Sequence, residues 1–212
     1  MKSFGDTHDH LEWCCASEAY LGQVESGDRC LVKKTAQGIL IGVIDGIGHG
    51  KEAAEAAQTA LEIINLDPKD SVIALVQRVH EGLRATRGVV MTLSLVNPEY
   101  DTVTWLGVGN VQGSLLHPEG GGKSGYESVL LRGGVVGHQL PPLKAEVIPI
   151  RRDDLLVFAT DGVYSGCTMG IDLSGTPRQI SDRVLKVYSK GNDDALVLVA
   201  RYLGGTDGKE AS

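Results

Sequence analysis

The 212-residue chain has no stretch approaching ~18 consecutive apolar residues, so it holds no membrane-spanning helix. Its first ten residues, Met1 to His10, are polar and lack the apolar core of a secretory signal. A cytoplasmic protein is expected. There is no excess of basic residues. Acidic residues outnumber them 27 to 20, the formal charge is −7, and the isoelectric point is near 5.3. Such a chain binds polyanions poorly, which argues against nucleic acid as a partner. Cysteine is sparse, at Cys14, Cys15, Cys30 and Cys167. Adjacent cysteines suit no zinc spacing. Buried or partly buried free thiols in a reducing compartment are favoured over a disulfide or a metal role. No internal repeat and no strong linker is visible.

Glycine is abundant: there are 28, about 13% of the chain, against a usual ~7%. It shows no three-residue period, so the chain is not collagen-like. An apolar fraction of 42% is too high for disorder. The length fits one domain, since sheet-rich domains often reach ~200–250 residues. That domain is expected over residues 1–203, with 204–212 a polar tail and no room for a sensor or membrane domain.

Apolar alternation predicts strands over Leu11–Leu21, Cys30–Thr35 and Gly38–Ile44, the last two forming a hairpin. An alanine-rich helix is expected from Glu52 to Leu66. Asp67-Pro68 then reads as the cap and first position of a second helix, whose apolar stripe is Val72, Leu75, Val76, Val79 and Leu83. Strands follow at Val89–Val96, Thr102–Val108, Val111–Leu116, Tyr126–Leu131, Ala145–Ile150 and Leu155–Thr160. Thr176-Pro-Arg-Gln179 has the form of a capping box opening a third helix. Ala195–Tyr202 closes as a buried strand. Hairpin-linked strands with segregated helices indicate an α+β fold of two packed, mostly antiparallel sheets with helices outside.

Two apolar strands end alike, at Asp45-Gly46 and Asp161-Gly162. Asp193-Asp194 opens a strand, and Asp28 leads into another. In antiparallel sheets the end of one strand lies beside the start of the next, so these carboxylates can gather on one edge. Clustered carboxylates repel unless a cation neutralises them. Oxygen ligands without a His/Cys cluster favour Mg²⁺ or Mn²⁺ over zinc. A glycine after each Asp would let the backbone turn sharply. Asp-Gly is also the commonest turn dipeptide, and one copy alone carries little.

At these residues the chain resembles the metal-dependent protein phosphatase (protein phosphatase 2C) family, and within it the bacterial regulatory branch of sporulation and stressosome phosphatases. The matching pieces run from Gly27 to Tyr202. They are Ser26-Gly-Asp28, Val43-Ile-Asp-Gly-Ile-Gly-His-Gly50, Met91-Thr-Leu93, Gly107-Val-Gly-Asn-Val-Gln-Gly113, Ala159-Thr-Asp-Gly162 and Asp193-Asp-Ala-Leu-Val197. The resemblance implies a four-layer α/β/β/α sandwich and a site with two Mn²⁺ or Mg²⁺ ions. Asp45 would bridge both ions and Gly46 would offer its carbonyl. Asp161 and Asp193 would hold one ion, with Asp28 nearby through water. The implied reaction is hydrolysis of phosphoserine or phosphothreonine by metal-activated water, with no covalent intermediate. The stand-alone form looks most like RsbX-type stressosome phosphatases, implying phosphorylated stressosome scaffold or antagonist proteins as partners and a monomer.

The chain also departs from the pattern. Ile47 holds the place of a family histidine, and His49 comes four residues after Asp45. His49 either serves as a catalytic acid or caps and braces the following helix. Asn110 replaces an acidic residue, which puts a third ion in doubt. No residue matches the phosphate-binding arginine of animal members. Other classes therefore stay open: a docking module with a degenerate site, or a two-metal hydrolase of small phosphoesters. Asp6, His8, Asp9 and His10 read as a solvated tail rather than a metal site. Gly120-Gly-Gly-Lys-Ser124 reads as a loop, since it lacks the spacing of a phosphate loop. Trp13 and Trp105 read as core aromatics.

Overall fold

The computed structural model describes residues 1–23, 25–68, 70–118, 125–169 and 172–205. Among them the chain forms twelve strands and three helices. The N-terminal half runs β1 (Lys2–His8), β2 (Leu11–Glu18), β3 (Asp28–Thr35), β4 (Gly38–Gly46), α1 (Lys51–Leu66), α2 (Val72–Gly82), β5 (Val89–Asn97) and β6 (Thr102–Val108). The rest runs β7 (Gln112–His117), β8 (Gly125–Ser128), β9 (Leu131–Arg132), β10 (Glu146–Pro149), β11 (Leu155–Ala159), α3 (Pro177–Tyr188) and β12 (Ala195–Tyr202).

One sheet has the order β1-β2-β12-β11-β7-β8, and the other β10-β6-β5-β4-β3, with short β9 added beside β6. Every pairing between these strands is antiparallel except β6 with β9. Strand alternation explains the layers. Ile39, Ile41 and Val43 of β4 face Leu196, Leu198, Ala200 and Tyr202 of β12 in a core between the sheets, with Trp105 and Phe158. Leu40 and Ile44 point the other way, into a core under α1 and α2. Val197 and Val199 point into a third core under α3. Three apolar layers thus separate four layers of structure, and central strands read as continuous apolar runs because both their faces are covered. The α+β sandwich is the predicted one.

Several local expectations need correction. The polar N-terminus is not a solvated tail. Residues Lys2–His8 pair along their length with β2, because an edge strand needs backbone partners rather than apolar side chains. Asp67-Pro68 does not open α2. Ser71 caps it, accepting the Ala74 N–H at 3.3 Å, while the Arg78 guanidinium holds Asp70 and the Asp67 carbonyl outside the helix. The predicted strand Tyr126–Leu131 divides, with β8 in one sheet and β9 in the other. The capping box at Thr176 and Gln179 is present, and the four cysteines are free thiols. Trp105 is buried, whereas Trp13 is part-buried and meets Phe4 edge-on at 5.9 Å. The Gly120–Ser124 loop and most of the polar tail lie outside the described residues. No helix among those described is long and apolar enough to cross a membrane.

Candidate active site

The topology brings the acidic strand ends together. Asp28 opens β3 directly opposite Asp45 near the end of β4. On the facing sheet, Asp161 follows β11, and Asp193-Asp194 precede its partner β12. Asp28 is 4% exposed and Asp194 also 4%. A buried carboxylate needs donors, and both have them. Asp28 accepts the Thr160 hydroxyl at 2.8 Å, and the Thr160 oxygen accepts the Leu196 N–H at 2.9 Å. Asp194 accepts the N–H groups of Tyr20 and Gly27, each at 2.7 Å. Thr160 and Asp194 escaped sequence reasoning as site residues. Their position beside Asp161 and Asp193 was the available signal.

The electrostatics show that these groups share one space. Burial, then the charges of Asp161, Asp193 and Asp194, pushes Asp45 up to about 8. Burial and then Asp45 push Asp28 well above the carboxylate range, against the Thr160 hydrogen bond, with Asp194 and Asp161 adding to the rise. Asp193 also rises, chiefly through burial, while the Asp194 N–H and nearby His49 oppose the change. Mutual repulsion of this kind is what a bound cation offsets. Among the described residues, no three or more His, Cys, Asp or Glu side chains are placed to hold an ion unaided. A Mg²⁺-type cation nevertheless keeps several waters and takes one or two carboxylates. An all-oxygen donor set of carboxylates and a main-chain carbonyl suits that mode.

The two site glycines are required for space rather than for a turn. A Cβ on Gly46 would lie 2.1 Å from the Ala53 carbonyl oxygen of α1, and one on Gly162 would lie 1.9 Å from the Asp194 carbonyl oxygen. The left-handed conformations fall instead at Gly48 and Gly50, with φ of 90° and 77°. Alanines at positions 53, 54, 56, 57 and 60 bury the face of α1 that approaches the sheet.

His49 is exposed and does not cap α1. Gly50 holds that position, and no side chain caps the helix. The His49 ring packs on Tyr20 at 5.6 Å. Ile47 packs against the core between the sheets, so an apolar contact fills the place of the family histidine. Asn110 donates to the Asp161 carboxylate at 2.9 Å, and Lys190 donates to the Asp161 carbonyl at 2.5 Å. Arg87 lies beside Gly48 and pairs with Glu52. A cavity of about 700 Å³ borders Asp28, with Ser26, Arg29 and Cys30 in its wall. His8, Asp9 and His10 lie away from the carboxylates, at the opposite end of the sandwich. There they line a smaller cavity of about 330 Å³ with the β3–β4 turn. Asp9 pairs with Lys34 at 3.1 Å, and His10 meets the Gly204 carbonyl at 2.9 Å.

The profile of the Stage II sporulation protein E (SpoIIE) family matches residues 35–203. No curated protein sequence matches the chain. A chain solved in work on the bacterial stressosome, a modular system adapted to control secondary messenger signaling, is 29% identical. It covers 90% of this chain and 99% of its own, with a TM-score of 0.81. RsbX in complex with magnesium is 20% identical over 95% of this chain and 100% of its own, with a TM-score of 0.83. The phosphatase PstP with two manganese ions is 16% identical over 92% and 99%, with a TM-score of 0.68. The last two likenesses are likenesses of fold.

Proposed function

This chain belongs to the SpoIIE family, in the bacterial regulatory branch of the metal-dependent serine/threonine protein phosphatases, and from that premise we propose that it hydrolyses phosphoserine or phosphothreonine on regulatory proteins of the stressosome type. The observation that carries this reading is the set of carboxylates that raise one another's proton affinity at one edge of the two sheets. A docking surface has no use for such repulsion.

Asp45 and the Gly46 carbonyl would hold two Mn²⁺ or Mg²⁺ ions between them. Asp161 and Asp193 would hold one of these, with Asp28 acting through water. When bound, such ions lower the pKa of an attacking water and offset charge on the phosphoryl oxygens. The remaining work belongs to the chain. Thr160 fixes the Asp28 carboxylate through its hydroxyl, and Asp194 pins the Gly27 turn by two backbone N–H groups. Asn110 orients Asp161 where a further carboxylate would have strengthened a third cation site. His49, exposed beside Asp193, would donate a proton to the leaving seryl or threonyl oxygen. The likeness to a stressosome-derived chain at 29% identity supports phosphorylated scaffold or antagonist proteins as substrates.

The test is turnover of a phosphothreonine protein with Mn²⁺, with EDTA and Asp45→Asn as controls. Release of phosphate that stops in both controls is the expected result. Full activity in either control defeats the two-ion reading. Release from small phosphoesters but from no phosphoprotein moves the substrate class.

A further inference from the structure

Lys190 stands just after Ser189, the C-terminal cap of α3. Its backbone N–H donates to the Gly162 carbonyl at 2.8 Å, and its ammonium donates to the Asp161 carbonyl at 2.5 Å. The same ammonium lies 5.7 Å from the centre of the Tyr164 ring. The Tyr164 main chain is held in turn by its N–H, which donates to the Tyr188 carbonyl at 2.9 Å. An exposed lysine ordinarily keeps its long stem free, because ordering it costs rotamer entropy. Here a main-chain bond, an ammonium bond and a ring contact fix it over the Asp161-Gly162 corner.

That corner needs a cation. A phosphate monoester carries close to two negative charges near neutral pH. It approaches an edge where Asp28, Asp45 and Asp193 already crowd one another and their neighbours. An ammonium offers three donors. Asp161 supplies its single hydrogen-bond acceptor among the described residues, and the residue is exposed. Arg87, on the opposite flank, is already paired with Glu52.

We propose that Lys190 binds a non-bridging oxygen of the substrate's phosphoryl group and anchors it at the Asp161-Gly162 corner. The inference rests on the phosphatase reading above and adds a residue to it. The test compares Lys190→Met and Lys190→Arg with the unaltered Mn²⁺-loaded protein. Five quantities are measured: KM and kcat on a phosphothreonine protein, the inhibition constant of inorganic phosphate, the Mn²⁺ concentration for half-maximal activity, and the thermal midpoint. Lys190→Met should raise KM and the phosphate inhibition constant about tenfold, the loss expected of a charge-assisted hydrogen bond. The Mn²⁺ requirement and thermal midpoint should hold, and Lys190→Arg should recover most of the binding. A phosphate constant within about twofold of the unaltered protein overturns the proposal. So does a change that follows wholly from a raised Mn²⁺ requirement or a lowered midpoint. If the unaltered protein turns over no phosphoprotein, the phosphatase reading fails. Calorimetric binding of inorganic phosphate by the two variants then still decides the role of Lys190.

Discussion

Asp45-Gly46 and Asp161-Gly162 put the same dipeptide at the same end of two facing sheets, but their surroundings differ. Asp45 stands opposite another carboxylate, Asp28, and crowding and burial push it up to about 8. Asp161 is met by donors, the Asn110 amide at 2.9 Å on its carboxylate and the Lys190 ammonium at 2.5 Å on its carbonyl. One corner concentrates negative charge. The other collects the groups that hold a carboxylate and its neighbourhood in place. The glycines share a cause, since each makes room for a backbone carbonyl, from α1 in one case and from Asp194 in the other.

The sharpest way to break this comparison is Asp45→Asn. The metal-free fold must keep Asp45 protonated at a pH where the unfolded chain ionises it, and the amide escapes that cost, so the metal-free variant should melt higher. Its phosphatase activity should fall by ~10³-fold or more, because the group proposed to join both ions is lost. Calorimetry and turnover check the two arms. If stability and activity fell together, Asp45 would be a structural residue and the charged corner would lose its meaning. Next in size are the glycines. Gly162→Ala and Gly46→Ala each drive a Cβ into a backbone carbonyl that cannot swing aside. Each should lose more than ~3 kcal/mol in denaturant unfolding, in the upper range for point changes. Gly48→Ala meets only the mobile end of Arg87, at 2.9 Å. It should cost about 1 kcal/mol, the penalty of a left-handed backbone. Equal losses at all three would contradict the distinction between room and turn.

Those glycines also show where sequence reading succeeds and stops. The Asp45-Gly46 and Asp161-Gly162 repeat, ending apolar runs, located the edge where the carboxylates gather. It supplied a turn as the reason for glycine, because the Ala53 carbonyl arrives only once α1 has packed back on the end of β4, and the Asp194 carbonyl comes from beyond α3. The same limit hid Thr160, a hydroxyl inside an apolar strand end whose partner Asp28 is 132 residues away. Edge strand β1 was missed because its side chains are exposed and leave no apolar pattern. Only its backbone pairing with β2 makes it a strand. Strands β4 and β12 were legible for the opposite reason, since both their faces are buried.

The pH dependence of the metal-free protein separates the corners more gently. Asp45 keeps its proton in the fold up to about 8, whereas the unfolded chain loses it near its ordinary value of 3.8. A carboxylate raised in this way contributes stability that is full below the ordinary value and lost as pH rises through the folded one. Asp28 and Asp193 shift in the same direction. Asp9, Glu81 and Asp172 shift the other way, but they are exposed and screened. The thermal midpoint in EDTA should therefore fall by roughly 5 °C between about pH 6 and pH 8. Saturating Mn²⁺ should flatten the slope, and Asp45→Asn should remove part of it without metal. A midpoint that rose over this interval would mean that the carboxylates do not share one buried space.

The smallest effect belongs to the braced corner. Asn110→Ala removes one neutral donor from the Asp161 carboxylate at a position open to water. Water can replace that donor, so the net loss approaches that of an ordinary hydrogen bond, about 1 kcal/mol. Turnover should fall by roughly fivefold with the thermal midpoint unchanged, since a bond at an exposed position adds little to the fold. Asn110→Asp is the more informative partner. It replaces a donor facing Asp161 with a second carboxylate, so the two repel unless a cation lies between them. At low Mn²⁺ it should be less active than Asn110→Ala. At high Mn²⁺ it should recover past it, because the new carboxylate can then share an ion. If Asn110→Asp stayed below Asn110→Ala at every Mn²⁺ concentration, the amide would serve Asp161 as a donor alone, and the braced corner would have no capacity for a further cation.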